Sequence, residues 1–297
     1  MKRTAIAFLF LVVASSGYAD DLADRVGRIA SSIDATVGIA AADLDNGRTL
    51  SIHGDERFPM ASVCKFPIAS AVLRKVSMGK IDLEKEVTIE PHDFAPGHSP
   101  LAASAKGKAV TVKIGRLLVL ALDESDNTAS DALLKVLGGP AEVMNYLRFL
   151  GVSGIDVSRS ETQMAADMKK GLAKFLADER DTATPDAMLR FFRMFALRTD
   201  GLSAFSDNLE MEIMKHSSTG KNRIGAGVPK DSTVMGKTGT SSGGVVNDAA
   251  LVRSADGAHR VILVVFTKGG KATEAAREAV IARISREIFD DFTKRGF

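Results

Sequence analysis

Apolar positions recur along this chain in two rhythms, and the switch between them divides it. Leu22, Val26 and Ile29 fall at helical spacing, which predicts a first helix from Asp20 to about Ile33. Thr36 to Leu44 then reads as a strand, Asp45-Asn46-Gly47 as a tight turn, and Arg48 to His53 as the returning strand. From Ser62 to about His216 the pattern is mainly helical. Thr111 can cap a helix through Ile114, Leu117, Leu118 and Leu120. Asn127 to Leu137 is another, stopped by Gly138-Gly139. Pro140 opens a helix with Val143, Leu147 and Leu150 as its stripe, and Thr184-Pro185 opens one through Met188, Leu189, Phe192 and Phe195. Leu202 to His216 suits one more. Between Val152 and Asp167 no period is clear, which predicts a long loop. Beyond about Lys230 strands return at Val234–Thr240, Gly244–Arg253 and Arg260–Thr267, with Asp256-Gly257 as a turn. A last helix carries Ala276, Val280, Ile281, Ile284 and Ile288 on one face.

Strands near both ends bracketing a helical middle predict an α/β (α+β) fold. An antiparallel sheet of about five strands, flanked by N- and C-terminal helices, would carry an inserted all-helical lobe. Residues 20–60 and 217–297 would form the α/β lobe, and residues 61–216 the helical one.

The first residues change the picture of where the protein works. Lys2 and Arg3 precede an apolar run from Ala5 to Ala14 and the small-residue site Gly17-Tyr18-Ala19. That is the form of a signal peptide, residues 1–19, and predicts a periplasmic protein free of the membrane after cleavage. Cys64 is the single cysteine, so no intramolecular disulfide supports the fold. The chain must rely on its core, which 45% hydrophobic residues allow. Lys and Arg number 39 against 37 Asp and Glu, and the leader holds two of the basic residues. This balance gives no sign of a nucleic-acid or membrane-surface partner. His53, His92, His98, His216 and His259 show no metal-ligand spacing, so no metal and no cofactor is expected.

Four polar clusters carry candidate chemistry. Ser62 and Lys65 lie three apart at the head of an apolar helix, where a hydroxyl and an amine share a face. The same spacing suits a plain helix cap, and it recurs at Ser77/Lys80 and Ser218/Lys221. Ser125-Asp126-Asn127 lies between two helices, where it could pass a proton and hold an amide, or simply cap. Its copy Ser206-Asp207-Asn208 reads as a helix-surface decoy. Glu161 lies in the long loop, two residues after Arg159, which could anchor the loop by an ion pair. Gly236-Lys237-Thr238-Gly239-Thr240 puts paired glycines inside a strand, a sign of close backbone or ligand approach. A lysine with hydroxyls there could bind a carboxylate, or the lysine could protect an edge strand.

Taken in order, Ser62-x-x-Lys65, Ser125-Asp126-Asn127, Glu161 and Lys237-Thr238-Gly239 resemble the serine β-lactamase and penicillin-binding protein superfamily, most closely the class A serine β-lactamases. The resemblance covers nearly all of the mature chain and implies a β-lactamase/transpeptidase-like fold, a small-molecule β-lactam substrate and resistance to such antibiotics. A monomer is expected. It implies that Ser62 attacks the β-lactam carbonyl, that Lys65 is the proton relay or base for that step, with the lysine or the glutamate acting in acylation, and that Ser125 protonates the departing nitrogen. Glu161 would activate the water that frees Ser62. Backbone N–H groups of Ser62 and Thr240 would form the oxyanion hole. Asn127 would hold the acyl side chain. Lys237, Thr238 and Thr240 would bind the substrate carboxylate, with Arg223 and Ser241 beside it.

Two positions depart from many members. Ala165 stands where an asparagine helps to hold the water, and Asp131 stands six residues after Ser125 in place of asparagine. Together they resemble a divergent branch with an altered loop path. A penicillin-binding D-alanyl-D-alanine peptidase or a β-lactam sensor is the alternative, and Glu161 is the feature against it. Cys64 reads as a buried apolar residue rather than a nucleophile.

Overall fold

The computed structural model describes residues 17–294, so the expected leader lies almost wholly outside the described residues. The described residues begin with helix α1 (Gly17–Ala30), three residues earlier than its apolar spacing predicted. Strands β1 (Thr36–Asp43) and β2 (Thr49–Ile52) come next. Only Gly47 takes a positive φ between them, +76°, and the turn spans Asp43 to Arg48.

The helical region contains more strand than its periodicity suggested. After β3 (Phe58–Pro59), residues Ala61–Cys64 form a 3₁₀ turn that runs into α2 (Lys65–Ser77). Then come β4 (Glu86–Ile89), α3 (Pro100–Ala105), β5 (Val110–Lys113) and α4 (Ile114–Leu122). Thr111 is therefore not a cap: it sits in β5, paired with Thr88 of β4. The helices α5 (Asn127–Leu137) and α6 (Pro140–Phe149) end and begin at Gly138-Gly139-Pro140, as expected. The segment expected to be a long loop is helical from Glu161, in α7 (Glu161–Lys170), with α8 (Leu172–Leu176) after it. Next are β6 (Thr182–Ala183), which pairs with β3, then α9 (Pro185–Leu197), α10 (Ala204–Lys215) and α11 (Ile224–Gly227). Strands β7 (Thr233–Ser241), β8 (Val245–Arg253) and β9 (Arg260–Lys268) and helix α12 (Glu274–Lys294) complete the chain.

One antiparallel sheet of five strands runs in the order β2-β1-β9-β8-β7. Its central strand β9 is an unbroken apolar run because both of its faces are covered. Val261, Leu263 and Val265 pack with Val26, Ile39, Ile281 and Ile284 beneath α1 and α12. Ile262, Val264 and Phe266 alternate with them and join the other core, with Phe58, Phe66 and Phe192. Every residue of α2 from Lys65 to Leu73 is buried, so this helix is the axis of the helical region. Phe66 packs against Phe191, Phe192 and Phe195 of α9 at centroid distances of 4.8, 4.6 and 5.3 Å. These rings lock the helix whose head carries Ser62 and Lys65.

Candidate active site

The site forms where the head of α2 meets the edge strand β7. Gly239 makes the meeting possible. A Cβ there would lie 2.4 Å from the Met60 carbonyl and 3.1 Å from the Ser62 nitrogen. The two backbones therefore touch with no side chain between them, as the paired glycines suggested. Asn247 of β8 secures the approach, its Nδ2 donating to the carbonyls of Pro59 (2.8 Å) and Met60 (3.2 Å). Ala61 and Ser125, on either side of the site, both adopt left-handed φ values, 48° and 57°. Such conformations in residues with a Cβ are held by surrounding packing and cluster at functional sites.

Lys65 is wholly buried. Its Nζ donates to the Ser125 carbonyl and to Asn127 Oδ1, both at 2.6 Å, and lies 3.3 Å from Glu161 Oε1. Glu161 Oε1 is itself buried and accepts no hydrogen bond from the described residues. Lys237, also wholly buried, donates to Ser125 Oγ at 2.8 Å and to the Thr238 carbonyl at 3.0 Å. Burial, and then repulsion from Lys65, hold its ammonium down to about 7. β7 is an edge strand, yet its lysine points inward, so it does not shield the edge.

Asp131, which stands where many members have asparagine, holds the start of α7 at Glu161. Its Oδ1 accepts from the Glu161 N–H at 2.7 Å, and its Oδ2 from the Thr162 N–H at 3.0 Å and hydroxyl at 2.8 Å. A carboxylate at the first turn of α7 also meets the positive end of the helix dipole. Ser160 and Gln163 close a capping box on the same turn. Arg159 does anchor the segment, through Asp181 and Asp167, with its guanidinium over the Phe175 ring. Ala165 lines the cleft but offers no polar atom of its side chain.

Asn127, Thr240 and Ser241 reach one cleft with Ser62 and Glu161, a cavity of about 240 Å³, whereas Thr238 lines a separate cavity along β7. Asn127 Nδ2 donates to the Pro96 carbonyl at 2.8 Å. Arg223 Nη2 donates to Thr240 Oγ1 at 2.7 Å, and its Nε to Glu278 Oε1 at 3.0 Å. Thr238 Oγ1 donates to Thr219 Oγ1 at 2.8 Å, a partner that nothing in the sequence pattern singled out. Ser241 Oγ lies 3.8 Å from the Met168 sulfur at the far end of β7. Burial raises the Cys64 thiol well above its usual range, which keeps it protonated and inert. Among the described residues no cluster of His, Cys, Asp or Glu could hold a metal.

A serine-bearing turn, two buried lysines and a carboxylate at the head of α7 thus meet at one place. Residues 21–292 match the model of the beta-lactamase enzyme family. The chain belongs to the class A serine β-lactamases. It is 29% identical to the β-lactamase VEB-1 of Pseudomonas aeruginosa, over 96% of each chain. Among solved structures, a β-lactamase from Chitinophaga pinensis matches with a TM-score of 0.83 and 33% identity, over 91% of this chain and 98% of that one. A class A β-lactamase from Bacteroides cellulosilyticus matches with the same TM-score at 26% identity, over 93% and 98%. The protein is a β-lactam hydrolase of this α+β fold, and among its described residues no helix is long and apolar enough to cross a membrane.

Proposed function

We propose that this β-lactamase works through a covalent ester on Ser62, formed and hydrolysed by the groups gathered around Lys65. The contact of Lys65 Nζ with Glu161 Oε1, whose oxygen otherwise lacks a partner, carries the reading. Lys65 and Glu161 form one proton-accepting pair for the Ser62 hydroxyl. Ser62 Oγ attacks the β-lactam carbonyl carbon, and the tetrahedral oxyanion meets the N–H groups of Ser62 and Thr240. One such donor contributes roughly 3–4 kcal/mol, because the charge it meets exists only in the transition state. As the ring C–N bond breaks, Ser125 hands its hydroxyl proton to the nitrogen, and Lys237, which donates to Ser125 Oγ, stabilises the resulting negative charge. Asn127 retains a second Nδ2 hydrogen for the acyl side chain. Lys237, Thr238 and Thr240 bind the substrate carboxylate, with Arg223 holding Thr240 and Ser241 extending the strand. Glu161 then takes a proton from water, which attacks the ester and frees Ser62.

The expected leader supports export to the periplasm, where such hydrolysis protects a cell from β-lactams. We read the enzyme as a monomer of two lobes, residues 20–60 with 217–297 and residues 61–216, with the cleft at their junction.

Intact-protein mass spectrometry of the wild type and Glu161→Gln mixed with a penicillin tests the scheme. The wild type should consume many equivalents and carry no lasting adduct. Glu161→Gln should hold one equivalent, with turnover lower by about 10²–10⁴-fold, the usual weight of a general base. Normal turnover by the variant would remove Glu161 from its role. A lasting adduct on the wild type would mean a penicillin-binding protein or sensor.

A further inference from the structure

The Ser218-Thr219-Gly220-Lys221 loop, whose serine and lysine take no part in the hydrolytic scheme, forms one wall of a second cavity. This cavity holds about 290 Å³ and opens on the outer side of β7. Three exposed lysines stand around it, Lys215, Lys221 and Lys230. Lys215 has only the exposed Glu212 at 3.5 Å, and neither Lys221 nor Lys230 has an ion-pair partner among the described residues. Inside, the buried Ser232 hydroxyl has no hydrogen-bond partner among them either. Asp248 forms the base. Its Oδ2 accepts from the Ile224 N–H at 3.0 Å, and burial pushes its carboxyl up to about 7, so much of it is neutral at neutral pH. A space with two unpaired ammonium groups, a third paired only with the exposed Glu212, and hydroxyls along its wall is complementary to a small oxyanion.

The cavity and the catalytic cleft both lie along β7, the first at Thr238 and the second two residues on at Thr240. Thr238 donates to Thr219, and the Thr219 hydroxyl in turn lies 3.1 Å from that of Ser217, which also lines the cavity. We propose that this cavity is a second anion site, suited to a phosphate-like oxyanion, and that its occupancy weakens binding of the substrate carboxylate through Thr219 and Thr238. An anion that accepts the Thr219 hydrogen strengthens the bond Thr219 accepts from Thr238, since linked hydrogen bonds polarise one another. The Thr238 hydrogen is then held away from the substrate. This coupling rests on the role proposed for Thr238 in carboxylate binding; the binding of the anion itself does not.

The test titrates inorganic phosphate into penicillin hydrolysis at constant ionic strength, with sodium chloride as the balancing salt. The expected result is a saturable rise in KM of about three- to tenfold with kcat unchanged, in keeping with ordinary coupling between sites. A Lys221→Ala/Lys230→Ala variant should keep its KM without phosphate and bind phosphate at least about tenfold more weakly, as loss of two charge-assisted contacts implies. A rise that does not saturate would overturn the proposal, as would equal inhibition of the variant, which would put phosphate in the Lys237 site. ³¹P line broadening by Ser62→Ala protein, with and without the lysine changes, reports binding apart from turnover. Lysine-dependent broadening in a protein whose wild type hydrolyses nothing would leave the site standing and remove the catalytic reading. Broadening that ignores the lysines would overturn the site.

Discussion

Lys65 and Lys237 lie buried beside each other at one end of α2, and Asp200 lies buried with Asp207 and Glu210 of α10 further along α2. The cations are supplied with acceptors. Two backbone carbonyls, an amide oxygen and a hydroxyl, all set by rigid elements, receive them, and Glu161 stands 3.3 Å from Lys65. The carboxylates have far less. Glu210 Oε1 accepts the Ser70 hydroxyl of α2 at 2.7 Å, while Glu210 Oε2 and Asp207 Oδ1 accept nothing among the described residues. The nearby cations are committed elsewhere: Arg74 of α2 donates to the Gly201 carbonyl, and Arg198 after α9 to Asn208 Oδ1. Tyr146 of α6 donates to the Asp200 carbonyl rather than to a carboxylate. The difference is that between buried amines given acceptors and buried acids kept neutral by their protons. Burial and then Asp207 push Asp200 up to about 7, and burial pushes Glu210 well above the ordinary carboxylate range.

The comparison breaks most visibly at Lys237. Lys237→Met should lower kcat/KM for a penicillin by about 10²–10³-fold, because it removes a buried charge-assisted contact. Its melting temperature at pH 6 should not fall. A folded ammonium held down to about 7 opposes folding below that pH, and the opposition fades as pH rises toward the unfolded value of 10.5. Retained activity would take Lys237 out of the substrate site, and a large drop in melting temperature would make it structural. The wild type sharpens the same point with a smaller effect. Its KM for a carboxylate-bearing substrate should rise by about three- to tenfold from pH 7 to 8.5 as Lys237 loses its proton. A flat KM over that range would mean that Arg223 or the hydroxyls hold the carboxylate instead.

The acid cluster should respond in stability alone. Between pH 4 and 7 the folded chain keeps protons that the unfolded carboxyls have already released, so stability falls as pH rises through that window. Glu210→Gln keeps the acceptor for Ser70 and cannot ionise. It should flatten the decline and raise the melting temperature at pH 8 by about 3–6 °C, the shift that 1–2 kcal/mol gives in a protein of this size. Its kcat and KM should match the wild type. Parallel stability profiles for the two proteins would mean that the cluster does not titrate as a buried group.

How legible each region is in the sequence depends on what its neighbours hide. β9 announces itself because its alternate residues serve two separate cores, which makes the run continuous. The end of α5 and start of α6 are equally plain, since Gly138, Gly139 and Pro140 act on the backbone directly. Thr111 misleads because a four-residue strand runs straight into the apolar α4, and one pattern absorbs the other. The α7 helix lacks a core stripe, with Met164 its one buried residue. Its signal is the Ser160–Gln163 capping box instead. Ser206 and Asp207 read as surface residues, yet they are buried against α2 because Ser77 and the acid cluster meet them there. Polar residues on an inner face carry no periodic sign of it. The motifs of the site are legible because they lie close in sequence, whereas Thr219 and Asp248 meet Thr238 and Ile224 only through the fold.

Asp131 grips α7 by the main-chain N–H groups of Glu161 and Thr162, atoms that nineteen of the twenty residues would supply equally well. The grip is blind to the side chains further along the helix. Side chains of α7 that line the cleft without anchoring the helix, such as Ala165, can change what the cleft admits without loosening that backbone grip. Proline at position 162 is the one spelling of that turn that inheritance could not tolerate.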